Sequence, residues 1–321
     1  MSTAVVDLSL APPAVEPTSL VSTSSCQRKA YLSWFRNLTP AFWNPALRFG
    51  STFHDAMDEL LHLAMASSDQ RRDFVAEGVF GRKLDLQVEE HRAQFPDYPP
   101  TEEEITELRA LGEGLLPLYW AGNWTAEGPG WAPERSIALR RVLYVEQAWK
   151  AETQAGTPCA GRFDAVFEDE GGGIWIRDKK TCASMPGAKL VQIDKQFGGY
   201  QWAGYHLWGD AFRGVLVDHI RKQMPTPRVK APLFRRMAVP VNLGELAHWE
   251  REYDRAWELR NQMQYLTPTE TTYSPGLHCS FCSFYDVCMA CRQLNDEGVE
   301  AMLSATYVTK PKRFGIADSE E

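Results

Sequence analysis

The stretch Gly161–Thr181, GRFDAVFEDEGGGIWIRDKKT, decides how the rest of the chain is read. Two short runs rich in apolar and aromatic residues, Gly161–Phe167 and Ile174–Arg177, flank the acidic, glycine-rich Glu168–Gly173. That pattern predicts two strands joined as a hairpin. Asp164 falls within the first strand, Asp178 closes the second, and Lys180 follows two residues later. Paired strands let the two carboxylates converge, and carboxylates on adjoining strands suit a hard divalent cation such as Mg2+ or Mn2+. Strand periodicity turns Lys180 to the same face as Asp178, where an ammonium stabilises charge developing on a phosphoryl oxygen. This is the chemistry of phosphodiester hydrolysis. D-x-K alone equally suits a solvated hairpin end, so the reading depends on what surrounds it.

Outward from the hairpin, Ile137–Trp149 reads as a further strand. On the other side the pattern gives a helix around Ile193–Trp208, a strand near Gly214–Ile220, and its antiparallel partner over about Leu233–Val241. A long amphipathic helix, Leu243–Tyr265, follows with Asn242 as its N-cap. Upstream, Cys26–Trp34 suits a short helix, and Gly50–Met65 places Met57, Leu60, Leu61, Ala64 and Met65 on one helical stripe. Between about 66 and 130 charges are dense and apolar spacing is helical, from Phe74, Val75, Phe80, Leu84 and Val88 to Ile105, Leu108, Leu111, Leu115 and Leu118. This segment is expected to be a helical insertion that shapes a substrate channel. Residues 1–22 and the closing KPKRFGIADSEE carry no apolar period and are expected to be disordered. The expected organisation is a tail over 1–22, one domain over 23–292, and a second tail over 293–321.

With 321 residues, 44% hydrophobic and 24% charged, the composition excludes collagen-like, coiled-coil and wholly disordered classes. No apolar run approaches a membrane span, and the first twenty residues lack the basic and apolar regions of a signal peptide. A soluble, cytoplasmic protein with no membrane partner is the expectation. The net charge of −8 argues against a generally sticky nucleic-acid binder but leaves room for a local basic groove. His219–Gly244 supplies one, with Arg221, Lys222, Arg228, Lys230, Arg235 and Arg236 and no acid, and with Pro225, Pro227 and Pro232 stiffening its loop. Trp120, Trp124 and Trp131 suit core packing better than stacking on bases.

Seven cysteines form an odd count, and four of them, Cys279, Cys282, Cys288 and Cys291, fall in the pattern C-x2-C-x5-C-x2-C. Clustered thiolates in a reducing compartment bind a metal more readily than they pair as disulfides. The four sulfurs suit tetrahedral Zn2+ or an iron–sulfur cluster. Cys159 and Cys182 have no ligand spacing and read as small buried hydrophobes.

Asp164 followed by Asp178-Lys179-Lys180 resembles the D…(D/E)-x-K signature of the PD-(D/E)XK, or restriction-endonuclease-like, superfamily, and is most similar to its RecB-like branch. In that branch a G-x-x-x-H helix start precedes the core, as in Gly50–His54, GSTFH, and a Q-x-x-x-Y helix follows it, as in Gln196–Tyr200, QFGGY. Gln201–Tyr205, QWAGY, repeats the spacing one step later. This chain has Asp where many relatives have Glu, and Lys179 where an aromatic residue is common. The resemblance covers about residues 23–292. It implies an α/β fold with a mixed central sheet flanked by helices, and a metal site of His54, Asp164, Asp178 and the Lys179 carbonyl. It further implies a catalytic Lys180, with Gln196 and Tyr200 positioning DNA or that lysine. Members with a cluster use one upstream and three C-terminal cysteines, which Cys26, Cys279, Cys282 and Cys288 match; a [4Fe-4S] cluster would leave Cys291 spare. The expected activity is a Mg2+- or Mn2+-dependent deoxyribonuclease, an exonuclease on DNA ends or single strands rather than an endonuclease. Recombination, repair, CRISPR adaptation and phage DNA processing are its settings, with DNA and other recombination or repair proteins as partners. A non-cleaving binding module on the same fold is the alternative.

Overall fold

The computed structural model describes residues 14–67, 76–133, 137–224 and 232–310. Phe74, Val75, Pro225, Pro227, Arg228 and Lys230, and residues 1–13 and 311–321 of the expected tails, lie outside them. The described chain opens with α1 (Pro17–Ser25) and α2 (Gln27–Ala30), the latter continued by a π-helical turn to Phe35, and then β1 (Leu38–Pro40). Three helices follow: α3 (Pro45–Ala66), α4 (Val79–Gln94) and α5 (Glu102–Ala121). Next come β2 (Leu139–Glu152), β3 (Pro158–Asp169) and β4 (Ile174–Cys182), then α6 (Ala188–Gln192), α7 (Lys195–Trp208), β5 (Phe212–Arg221) and β6 (Phe234–Pro240). The chain closes with α8 (Leu246–Met263), α9 (Tyr285–Ala290), α10 (Asp296–Thr306) and β7 (Tyr307–Thr309).

Two compact units are built from interleaved stretches of sequence. The larger comprises Trp43–Trp149 and Arg162–Leu246. The five-stranded sheet has the order β2-β3-β4-β5-β6. β3 and β4 pair antiparallel, β4 and β5 parallel, and β5 and β6 antiparallel, so the sheet is mixed. The parallel step requires a crossover, which α6 and α7 supply. This is an α/β, restriction-endonuclease-like architecture.

The β3–β4 turn is held by Asp169, whose Oδ1 accepts from the N–H groups of Gly171 and Gly173, each at 2.8 Å. Gly172 sits there at φ +80°, where a side chain would be strained. On the helical side, Phe49 and Phe53 of α3, Phe80 of α4 and Tyr119 of α5 form a ring cluster. It is continuous with Leu139, Phe167, Leu216 and Phe234 of the sheet. Thus α4 and α5, expected as an insertion, share the main core. Trp120, Trp124 and Trp131 are buried in that core as well. Met65, expected on the α3 stripe, is exposed, while Phe49, Phe53 and Ala56 extend the buried face. At 100° per residue Met65 has rotated off the face that Leu61 and Ala64 share.

The smaller unit comprises Met1–Phe42, Lys150–Gly161 and Ala247–Glu321. Its core joins Tyr31, Leu32 and Phe35 to Met263, Phe284, Val287 and Leu303. Strands β1 and β7 pair antiparallel, with Leu38 opposite Thr309. Part of each expected tail is therefore ordered. Pro17 is pre-set for the first helical position of α1, Leu20 is buried, and Tyr307 packs flat on Phe284 with centroids 5.1 Å apart. Weak apolar periodicity hid both segments, because their buried apolar side chains are few: Ala14, Val15 and Leu20 in the first, Val299, Leu303 and Tyr307 in the second.

Candidate active site

Every residue of the candidate site belongs to the larger unit. Ala165 pairs with Arg177, so the neighbouring residues Asp164 and Asp178 come side by side on β3 and β4. Asp164 Oδ2 accepts the main-chain N–H of Lys179 at 3.0 Å. Lys180 Nζ lies 2.9 Å from Asp178 Oδ2, the same-face contact that strand periodicity predicts.

His54 arrives from α3. Asn44 caps this helix, its side chain accepting from Leu47 N, and Pro45 opens it. His54 therefore lies in the third turn, not at the helix start that the motif suggested. Gly50 lets α3 approach β4 closely: a Cβ there would stand 3.1 Å from Thr181 Oγ1. His54 Nε2 is 2.8 Å from Lys179 O, and Nδ1 is 3.3 Å from Asp164 Oδ2. Burial holds the imidazole below its ordinary pKa despite the facing Asp164. A neutral ring that donates Nε2–H to the carbonyl turns its Nδ1 lone pair toward a carboxylate, an arrangement that a cation relieves.

The third contributor is α7, capped by Asp194 Oδ1 accepting from Gln196 N at 2.8 Å. Gln196 Nε2 reaches Asp178 Oδ1 at 3.1 Å and the Tyr200 hydroxyl at 3.0 Å. The second copy of the motif goes elsewhere, with Gln201 Oε1 accepting from Asn242 N at 3.0 Å and Tyr205 bonding Asp210. The first register is the one brought to the carboxylates.

The two carboxylates are held differently. Burial alone raises both, but at Asp164 the charges of His54, Lys179 and Lys180 outweigh it and hold the carboxyl below its usual range. At Asp178 burial wins over Lys180, and with Asp164 adding to it the carboxyl is pushed up to about 7. Lys180 feels the converse: burial lowers it, and the Asp178 and Asp164 charges raise it above its ordinary value. Asp178 Oδ2 is buried and accepts no well-aligned hydrogen bond despite the nearby ammonium. Among the described residues no group of three or more His, Cys, Asp or Glu side chains is arranged to hold a metal ion as it stands. In kind, however, the donors fit a hard divalent cation: two carboxylates, one of them with an orphaned oxygen, a carbonyl and an imidazole.

Beside the site lies a buried charge network that the sequence reading did not anticipate. Asp218 Oδ1 and Oδ2 each take a 2.7 Å bond from Arg236, and Tyr119 donates to Oδ2 at 2.5 Å. Arg177, fully buried next to Asp178, bonds Asn123 Oδ1 at 2.6 Å and lies over the Phe167 ring. This corrects the DNA-facing stripe: Arg236 is sealed in the sheet because β6 registers it against Asp218. A signal was present, since a charge centred in GVLVDHI or IWIRD must be paired if those strands are buried. Lys222 donates to Ala46 O, at 3.4 Å.

In the smaller unit all five relevant thiols are free. Burial raises Cys282, and Cys26 and Cys279 lie near enough to raise it further. Arg28 Nη1 approaches Cys288 Sγ at 3.4 Å, and Cys291 is also raised by burial and by Cys288. Cys159 is buried, as expected; Cys182 is half-buried.

The profile of the PD-(D/E)XK nuclease superfamily matches residues 15–289. Among curated proteins no significant match is found. Among solved structures, one titled "Crystal structure of SSO0001" is similar at 16% identity with a TM-score of 0.30, covering 47% of this chain. The match spans 61% of that chain, under two thirds of its length. No helix among the described residues is long and apolar enough to cross a membrane.

Proposed function

Because the chain belongs to the PD-(D/E)XK nuclease superfamily, we propose that it hydrolyses DNA at the site built on Asp164, Asp178 and Lys180. His54 and the Lys179 carbonyl complete a place for Mg2+ or Mn2+. The observation that carries the reading is Asp178: a buried carboxylate beside a lysine ammonium and a glutamine amide, with one oxygen left without a well-aligned donor. Buried polar groups are ordinarily satisfied, so a carboxylate oxygen left over beside a second carboxylate suits a site that a cation completes.

When bound, a divalent cation polarises the phosphate and lowers the pKa of its water. The chain's own residues do the rest. Lys180 Nζ, paired with Asp178, places positive charge where a phosphoryl oxygen becomes more negative during in-line attack. Gln196 holds Asp178 Oδ1 and the Tyr200 hydroxyl together, fixing the carboxylate from the α7 side. His54 ties α3 to the Lys179 carbonyl.

The RecB-like order of motifs further supports an exonuclease acting on ends or single strands, in recombination, repair or phage DNA processing. It also supports a [4Fe-4S] cluster on Cys26, Cys279, Cys282 and Cys288. The closeness of Cys26 and Cys279 to Cys282, which their charges raise, and the soft thiolate donor set agree with that in kind.

Anaerobically purified protein, incubated with end-labelled single- and double-stranded DNA and Mn2+, tests the reading. Degradation is expected in the wild type, reduced at least about a hundredfold in Asp178→Ala and Lys180→Ala, with the product ladder giving polarity. DNA binding without cleavage by all three proteins would sink it in favour of a binding module.

A further inference from the structure

In the nuclease reading Lys179 takes part through its main-chain carbonyl alone. Its side chain is nevertheless 0% exposed, and its ammonium lies 2.8 Å from Asp58 Oδ1, on a carboxylate itself only 13% exposed. An ammonium taken so far from water requires a partner. Asp58 follows His54 by four residues on α3, so one helical face delivers both side chains to one residue of β4. His54 Nε2 meets the Lys179 carbonyl at 2.8 Å, Asp58 meets the ammonium, and the Lys179 N–H goes to Asp164 Oδ2 at 3.0 Å. Every polar group of Lys179 that this reading uses, and the one it does not, is thereby tied.

Asp58 also borders an open cleft that carries the carboxylates of Asp55, Glu59, Glu90 and Glu146 against the two cations Lys83 and Arg162, which pair with Glu59 and Glu146. Acids outnumber cations in this lining, which disfavours a phosphate backbone beside Asp58 and favours a role for it through Lys179. We propose that Asp58 is a positioning residue for the metal site: by anchoring the Lys179 ammonium it fixes the direction of the Lys179 carbonyl and the spacing of the carboxylates on either side. The inference rests on the nuclease reading.

Calorimetric titration of Mn2+ into the full-length wild type, Asp58→Asn, Asp58→Glu and Asp178→Asn tests it, together with thermal unfolding of each. Partners that orient metal ligands typically contribute ten- to a hundredfold in affinity. Asp58→Asn should therefore raise the Mn2+ Kd by about that factor, with Asp58→Glu recovering part of it. Cleavage by Asp58→Asn should return to within a few fold of wild type at saturating Mn2+, a defect in metal activation rather than in turnover. Unchanged Mn2+ affinity in Asp58→Asn, with loss in Asp178→Asn, would overturn the inference alone. Equal affinity in wild type and Asp178→Asn would overturn the nuclease site and the inference together. If Asp58→Asn does not fold, the charge-neutral Asp58→Asn/Lys179→Met pair replaces it, and wild-type Mn2+ affinity there refutes the anchor.

Discussion

His219 lies in β5 with Lys180 in register on one side and Arg235 on the other, and Asp218 precedes it. Burial, aided by the Lys180 and Arg235 charges and opposed by Asp218, pushes its imidazole pKa down to about 4. In the unfolded chain a histidine titrates near 6.5, so between about pH 6.5 and pH 4 the unfolded state binds the extra proton. Stability is therefore greatest above this window and falls as the pH drops through it, by at most about 3 kcal/mol. Urea unfolding of wild type and His219→Phe at pH 7.5 and pH 4.5 is the check. The variant should lose less stability on acidification than the wild type; equal losses would mean that His219 is protonated in the fold. This residue was invisible in the sequence, because a lone histidine says nothing of which cations its strand neighbours will place beside it. Asp164, Asp178 and Lys180 were legible because the separation of two residues in a strand and a glycine-rich turn fix their faces without knowledge of the partners. Arg236 was misread for the opposite reason: in sequence it is one of six cations, and only the β5–β6 register turns it onto Asp218.

Elements were legible where an apolar or aromatic run is bounded by turn or capping residues. The β3–β4 hairpin and α7 fall where periodicity puts them, while helix ends moved: α3 begins at Pro45 because Asn44 caps it, five residues before the glycine that the motif made its start. What periodicity cannot supply is the fit between elements. Gly112 of α5 faces α4, and the Phe80 ring occupies the space a Cβ would need. Replacing a mid-helix glycine by alanine ordinarily gains about 1 kcal/mol of helix propensity, whereas forcing a methyl group into a packed core costs about 1–3 kcal/mol. Phe80 also touches Phe49 and Phe53, so it has no free direction in which to yield. Gly112→Ala is expected to destabilise the protein by up to about 2 kcal/mol net, read as a lower denaturation midpoint with unchanged m-value. An increase in midpoint would show that α4 and α5 slide apart at no cost.

At the scale of the molecule, the smaller unit draws on sequence from both chain ends, with Tyr31 and Phe35 packed in one cluster with Phe284, Val287 and Leu303. A cluster ligated by Cys26 and by Cys279, Cys282 and Cys288 closes the same long loop that this apolar core already closes. Loop-closure entropy for a cross-link over some 250 residues is roughly 5 kcal/mol, an upper bound here, since the core has already removed part of that freedom. The consequence separates the two cysteine assignments. With the upstream ligand, Cys26→Ala abolishes the broad absorbance near about 400 nm that iron–thiolate charge transfer gives and lowers the thermal midpoint, while Cys291→Ala keeps both. With four C-terminal thiolates on Zn2+, the protein is colourless throughout, because a filled d shell has no such transition. Absorbance spectra and melting curves of anaerobically purified wild type, Cys26→Ala and Cys291→Ala are sufficient. Colour that survives Cys26→Ala and vanishes in Cys291→Ala would move the ligand set wholly to the C-terminal run and leave α2 held by packing and by the hydrogen bonds of Gln27 and Arg28 to Thr271 and Thr272.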